Sequence, residues 1–294
     1  MSRYVLENKW IKLEVESAGA EIKSLQRKSD SREYMWCADK QFWGRTAPVL
    51  FPIVGGLNEQ KYRWNGKEYE MGQHGFARDM EFTMEEQTEN TIWFGLEADE
   101  ETRNKYPFDF SLKLGYQLEE MSVRVLWKVV NKGNEDMHFS IGGHPAFMCP
   151  ITETMKQTDC FIYFDTDKTL QSDVFADGLV AEGTREYQLE DGYLKITEDL
   201  FDGDALIMEN EQVHTVALCL PDKTPYLTVK FDAPLVGVWS PVKKNAPFIC
   251  IEPWYGRADK IGFLGELSER EWGNTLKGQE SFEASYIIEI NDRS

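Results

Sequence analysis

The sequence predicts an all-β protein, an antiparallel sandwich or barrel with few short helices. Three observations predict it. Apolar residues recur at every second position, helical patterns are brief, and turn signals separate the alternating runs. No βαβ rhythm is present, so a parallel sheet is not expected.

The elements follow in chain order. Ile11, Leu13 and Val15 alternate with Lys12, Glu14 and Glu16, which predicts a strand with one buried and one wet face. Asn65-Gly66 marks a tight turn. Asp99–Tyr106 reads as a turn or two of helix, stopped by Pro107. Phe110, Leu112, Leu114, Tyr116 and Leu118 alternate with Ser111, Lys113, Gly115 and Gln117. Met121, Val123, Val125, Trp127 and Val129 repeat the pattern, and Asn131-Lys132-Gly133 ends it. Thr197–Phe201 reads as a second short helix before the turn signal Asp202-Gly203-Asp204. Leu227, Val229 and Phe231 predict another strand, and Tyr286, Ile288 and Ile290 the last. Between them, Ser268 with Glu271 fits a capping box before Trp272, cut short by Gly273. No low-complexity linker or fixed-period repeat divides the chain, so residues 1–294 are expected to form one domain.

Composition removes several function classes. Lys and Arg number 32 against 51 Asp and Glu, a formal net charge of −19. A polyanion repels phosphate backbones and anionic lipid, so neither nucleic acid nor membrane is an expected partner. No apolar run reaches the roughly 18 to 20 residues of a membrane span. The N-terminus, MSRYVLENKWIKLEVESAG, lacks the apolar core of a secretory signal. Five cysteines, at positions 37, 149, 160, 219 and 250, have no close pairs and make neither a disulfide framework nor a zinc ribbon. The expectation is a soluble, reduced, cytoplasmic protein. Aromatic residues reach 13%. They suit strands and large cores, and their flat faces also suit the C–H faces of sugar rings.

Three segments break the alternation: Gly72-Gln73-His74-Gly75-Phe76-Ala77-Arg78-Asp79, Ile141-Gly142-Gly143-His144-Pro145-Ala146-Phe147, and Ile249-Cys250-Ile251-Glu252-Pro253-Trp254-Tyr255-Gly256. Glycines beside His74 allow unusual backbone angles and close approach of a ligand. Gly-Gly-His-Pro sets His144 between a flexible pair and a rigid proline that restricts the residue before it. Glu252 ends an apolar run, where desolvation raises a carboxyl toward the range of a general base. Each has a plainer reading, a structural histidine or a strand terminus. Together they hold two of only four histidines and one carboxylate, the parts needed to move protons on both sides of a small molecule. His138 and His214 lie within alternating runs and read as structural. Neither His74 nor His144 has a partner at metal-ligand spacing, so no metal is expected. Gly-x-Ser-x-Gly, Gly-x-Gly-x-x-Gly and Walker-type loops are all missing, so neither a serine hydrolase nor a nucleotide cofactor is expected. Cys149 and Cys250 read as packing.

In these segments the sequence resembles the aldose 1-epimerase family, the galactose-mutarotase-like proteins. The resemblance covers nearly the whole chain. It runs through Pro48-Val49-Leu50-Phe51-Pro52-Ile53-Val54-Gly55, the His74 segment, Tyr106-Pro107-Phe108, His144-Pro145 and Glu252-Pro253-Trp254. The form looks closest to a bacterial branch associated with lactose and galactose operons, and the hexose-6-phosphate mutarotase branch shares His-Gly-Phe-Ala-Arg. The resemblance implies a β-supersandwich, exchange of α and β anomers of an aldose, and no cofactor. By match to the family motifs, Glu252 would be the general base at the anomeric hydroxyl. His144 would be the general acid at the ring oxygen, and His74 would stabilise charge developing there. Asp204 is in a place similar to the family's sugar-binding aspartate.

The sequence departs from the family at one point. Galactose mutarotases carry a sugar-binding arginine after the early glycine, and Gly55-Gly56-Leu57 offers none. Arg78 or Arg45 is the candidate replacement, since arginine presents a planar fork to hydroxyls or phosphate. The ligand is then a sugar or a sugar phosphate. The competing reading is a non-catalytic carbohydrate-binding or regulatory protein on the same scaffold. A glycosidase using Glu252 and Asp204 ranks behind both, because it leaves the two histidines without a task.

Overall fold

The computed structural model describes residues 2–152 and 154–291. Met1, Glu153 and residues 292–294 of the expected 1–294 span lie outside it. Among the described residues every strand-to-strand ladder is antiparallel. The protein is an all-β sandwich, as period two predicts.

The largest sheet has nine strands, in the spatial order Tyr193–Lys195, Phe161–Phe164, Thr215–Cys219, Pro225–Phe231, Ser281–Ile290, Ser122–Asn131, Phe110–Glu119, Thr91–Glu97 and Thr83–Gln87. The second sheet runs Leu206–Met208, Leu235–Trp239, Phe248–Tyr255, Ile141–Gly143 and Val49–Leu50, with Ala146–Met148 also paired to Phe248–Tyr255. A four-stranded sheet, Arg3–Glu7, Ile11–Glu16, Glu21–Arg27 and Arg32–Glu33, and three hairpin-sized pairs complete the fold.

The alternating runs fold as their pattern dictates. Val123, Val125, Trp127 and Val129 are buried, while Arg124 and Lys128 stay partly wet. Lys128 there meets Glu283 of the neighbouring strand at 2.7 Å, so part of the acidic excess sits on wet sheet faces. Asn65 and Gly66 both take positive φ, 50° and 72°, in the tight turn between Lys61–Trp64 and Lys67–Glu70. The helix Glu100–Lys105 starts at Asp99, whose side chain accepts from Thr102 N–H while Asp99 N–H donates to Thr102 Oγ1, both at 2.8 Å.

Three local expectations need correction. Thr197–Phe201 forms turns rather than a helix. The capping box lies two residues upstream of Ser268 and Glu271: Glu266 N–H donates to Glu269 Oε2 at 2.8 Å, around the single 3-10 turn Leu267–Glu269. Glu271 instead pairs with Arg257 and Lys260. Gly142 and Gly143 are buried strand residues, not a flexible pair. A Cβ on Gly142 would lie 2.6 Å from the Trp254 ring and one on Gly143 2.9 Å from the Tyr286 hydroxyl, so close packing is what demands glycine there.

The main core fills the space between the two large sheets, with Leu112, Leu114, Val125, Trp127 and Ile288 from one and Ile141, Phe147, Ile249 and Ile251 from the other. The strand Phe248–Tyr255 is buried on both faces. Ile249 and Ile251 point into the main core. The opposite face carries Phe248, Cys250, Glu252 and Trp254 in alternation. Phe248 and Cys250 pack with Trp36, Ala146 and Ala246, and Trp254 with Leu50, Val54, Ile207 and Leu235. Glu252 stands between two small apolar clusters, and the cleft described next opens at that place.

Candidate active site

Strand register puts His144 across from Glu252. Gly142 pairs with Trp254 and Ala146 with Cys250, and continuing that antiparallel register sets residue 144 opposite residue 252. The His144–Pro145 step interrupts the ladder, and His144 N–H donates to Pro48 O at 3.0 Å. His144 Nε2 stands 3.3 Å from Glu252 Oε2, and the two residues are 7% and 1% exposed. Neither Glu252 Oε2 nor His144 Nδ1 has a hydrogen-bond partner. The His144 ring is held by stacking on Trp43, centroids 4.6 Å apart, and by the edges of Trp239 and His74, each at 5.6 Å.

His74 reaches the same place from the chain crossing Gly55. His74 N–H donates to Gly55 O at 2.9 Å, and Gly55 N–H donates to His74 Nδ1 at 3.1 Å. An Nδ1 that accepts carries no proton, so in the neutral ring Nε2 is the donor. His74 sits at φ 67°, a left-handed conformation uncommon outside glycine, asparagine and aspartate. Gly75 follows at φ 70°, where a Cβ would lie 2.3 Å from Phe51 O. The glycine after His74 is therefore required by both angle and space.

His74, His144, Glu252, Arg78 and Asp204 all line one cleft of about 480 Å³, within the roughly 300–1,000 Å³ usual for small-molecule sites. Arg78 extends along its wall and donates to Gln73 O at 2.7 Å, and its buried Nε makes no hydrogen bond, with Asp79 Oδ2 3.9 Å away. Asp204 is held in its turn by Ala205 N–H donating to Oδ1 at 2.8 Å. Arg45 does not line the cleft. It pairs with Asp79 at 2.7 Å outside it, so it acts on the site only as a nearby positive charge. A larger cavity of about 790 Å³ between Met148, Met155, Phe201 and Pro247 holds no histidine and offers no comparable acid–base set.

Charge in the cleft follows from burial. Desolvation, reinforced by Asp204 and partly opposed by the Trp254 indole, holds the Glu252 carboxyl well above the usual carboxylate range. Burial, with Arg78 nearby, pushes the His144 imidazole down to about 3. Burial, His144 and the two arginines likewise hold His74 well below its ordinary value. Burial and Arg45 bring Arg78 down to about 10, so it stays charged at neutral pH. Burial thus favours the protonated carboxyl of Glu252 and the neutral imidazoles of His74 and His144, with Arg78 as a cation beside them.

Sequence reasoning did not single out Trp43, Trp239, Phe175 or Asp177, which also line the cleft. The aromatic richness was a signal, but nothing local marks which tryptophans face a ligand. Nor did spacing reveal that folding brings Cys250 beside His144 and Glu252, with one ligand atom of each residue all within 4.8 Å of one another.

A sequence model of one family, Aldose 1-epimerase, matches residues 2–287. Protein LacX (plasmid) of Lactococcus lactis subsp. lactis is 33% identical over 295 aligned positions, covering 97% of this chain and 98% of that protein. A galactose mutarotase related enzyme from Lactobacillus acidophilus superposes with a TM-score of 0.93 at 36% identity, covering 99% of this chain and 98% of the other. A galactose mutarotase-like protein from Lactobacillus casei gives 0.91 at 30% identity, covering 99% and 100%.

Proposed function

The chain belongs to the aldose 1-epimerase family, and from that premise we propose that it interconverts the α and β anomers of an aldose by acid–base ring opening and closure. One observation carries the reading. A carboxyl and an imidazole, both buried, meet at 3.3 Å in the wall of a cleft of sugar-sized dimensions. Opening a pyranose needs one proton removed from the anomeric hydroxyl and one delivered to the ring oxygen.

Glu252 takes the anomeric proton and His144 protonates the ring oxygen. The reactive form, carboxylate plus imidazolium, holds the same number of protons as the carboxylic acid plus neutral imidazole. Reaching it takes one transfer between the two side chains and no exchange with solvent. The ring opens to the aldehyde, the C1–C2 bond rotates, and closure on the other face reverses both transfers. His74 donates from Nε2 to the ring oxygen region as charge develops. The faces of Trp43, Trp239 and Trp254 offer apolar contact to the sugar's C–H surface.

Arg78, whose buried Nε makes no hydrogen bond, takes the part of the missing early arginine toward a sugar hydroxyl. An unphosphorylated aldose is the better-supported ligand. Arg78 shares the cleft with Asp177, Asp204 and Glu252, while Arg45 is engaged by Asp79. Anomer exchange measured by polarimetry or NMR over glucose, galactose and their 6-phosphates tests both points. Glu252→Gln should lower exchange by about 10²- to 10⁴-fold while sugar still binds. Saturable binding with no exchange for any of the sugars would favour the non-catalytic binder instead.

A further inference from the structure

We propose that the same cleft binds a thiophilic divalent cation, zinc above all, through His144 Nε2, Cys250 Sγ and Glu252 Oε2, and that the bound ion excludes the sugar. Cys250 and Glu252 project from one face of a single strand, and the register places His144 across from Glu252, two residues from the Ala146 that faces Cys250. One ligand atom from each of the three residues lies within 4.8 Å of the other two, and all three residues are buried. Glu252 Oε2 is buried and makes no hydrogen bond, its neighbour being His144 Nε2 at 3.3 Å, so an ion there replaces only a contact between two of its own ligands.

The dimensions fit. Tetrahedral zinc holds nitrogen and oxygen at roughly 2.0–2.1 Å, which sets the N···O edge at about 3.3 Å. The observed His144–Glu252 separation is 3.3 Å. With sulfur at about 2.3 Å, the edges to it are about 3.6 Å, so against the 4.8 Å limit the thiol has at most about 1.2 Å to close by side-chain rotation. His144 and Glu252 line the cleft while Cys250 lies behind them in an apolar cluster, so a water entering from the cleft would complete the tetrahedron.

The donor set selects the ion. Thiolate and imidazole favour zinc over magnesium or calcium. Binding is ligand exchange without redox change: the thiol and the carboxyl release their protons to solvent, and the ion sheds water. The dication with one thiolate and one carboxylate is neutral overall, which suits a buried place. His144 Nδ1 has no partner, whereas the histidines of resident zinc sites are usually fixed through that second nitrogen. The site is accordingly a reversible, inhibitory one. Cation binding does not depend on the proposed reaction; the inhibitory consequence does.

Titration of the whole protein with Co²⁺ tests the site without using activity. Expected are a thiolate-to-cobalt charge-transfer band and tetrahedral visible bands at one ion per chain, abolished by excess Zn²⁺. Cys250→Ser should lose the charge-transfer band, and Cys37→Ser, which removes the exposed thiol, should keep it. Absence of the band in the natural protein, or its persistence in Cys250→Ser, overturns the site. If Cys250→Ser does not fold, His144→Asn takes its place and should weaken Co²⁺ binding; undiminished binding overturns the site. In the exchange assay, Zn²⁺ should slow the natural protein, with about tenfold or more Zn²⁺ needed for Cys250→Ser. A Co²⁺ site present with exchange unaffected by Zn²⁺ overturns the blocking. No exchange at all refutes the reaction and leaves the cobalt result standing.

Discussion

His74 is the residue at which role and backbone can be separated. Its Nδ1 accepts from Gly55 N–H, its Nε2 faces the cleft, and its φ is 67°. Asparagine tolerates that conformation better than most residues, and its short amide can still accept from Gly55 but does not reach the place of Nε2. His74→Asn should therefore melt close to the natural protein while exchange falls about 10²-fold, the usual cost of one donor at a developing negative charge. An exchange rate unchanged in a folded His74→Asn would confine His74 to a structural task. Glycine spacing made His74 and His144 legible in the sequence, and the apolar run before it made Glu252 legible. Arg45 illustrates the limit. It is a candidate replacement for the missing arginine by residue type, yet it lies outside the cleft and pairs with Asp79 at 2.7 Å. Ion-pair partners of that kind carry no local signature.

At the scale of elements, the strand Phe248–Tyr255 explains why the site is where it is. An apolar run announced the strand but not its pairing, since long-range register leaves no mark in local periodicity. The pairing of Gly142 with Trp254 and Ala146 with Cys250 is what converts two separate motifs into a facing pair. The far wall was hidden for the same reason. It is the hairpin of Leu170–Ala176 and Leu179–Tyr187, whose tip brings Phe175, Asp177 and Gly178 to the cleft. Arg257, 2% exposed, ties this hairpin down through Asp173 at 2.8 Å and holds Glu209 at 2.6 Å. Val180 N–H donates to Asp259 O at 2.9 Å just beside it. Removing Arg257 leaves the half-buried carboxylates of Asp173 and Glu209 without their cation and should cost about 1–3 kcal/mol. Arg257→Ala should show this as a lower denaturant midpoint, with sugar affinity reduced because the Asp177 wall loosens. A midpoint equal to that of the natural protein would mean the network contributes nothing to stability.

For the whole molecule, the buried acid–base pair makes global stability depend on pH in a way its surface charge does not. Burial raises the Glu252 carboxyl in the folded state above its unfolded value of 4.5. Above that value the folded chain binds more protons at this position than the unfolded chain, so stability falls as pH rises through the window. His144 works in the opposite sense and at lower pH. Its folded value of about 3 lies below the unfolded 6.5, so its contribution is lost as pH falls below 6.5 and does not change above it. Between neutral and mildly alkaline pH, Glu252 is therefore the group in the facing pair that drives the change. Glutamine reproduces the shape of the protonated carboxyl and cannot ionise. Denaturant unfolding of Glu252→Gln and the natural protein, compared at about pH 5 and about pH 8, should show the variant gaining relative stability at the higher pH. A stability difference that is the same at both would mean the carboxyl is not held up by burial, and that its fitness as a base arises from the sugar instead.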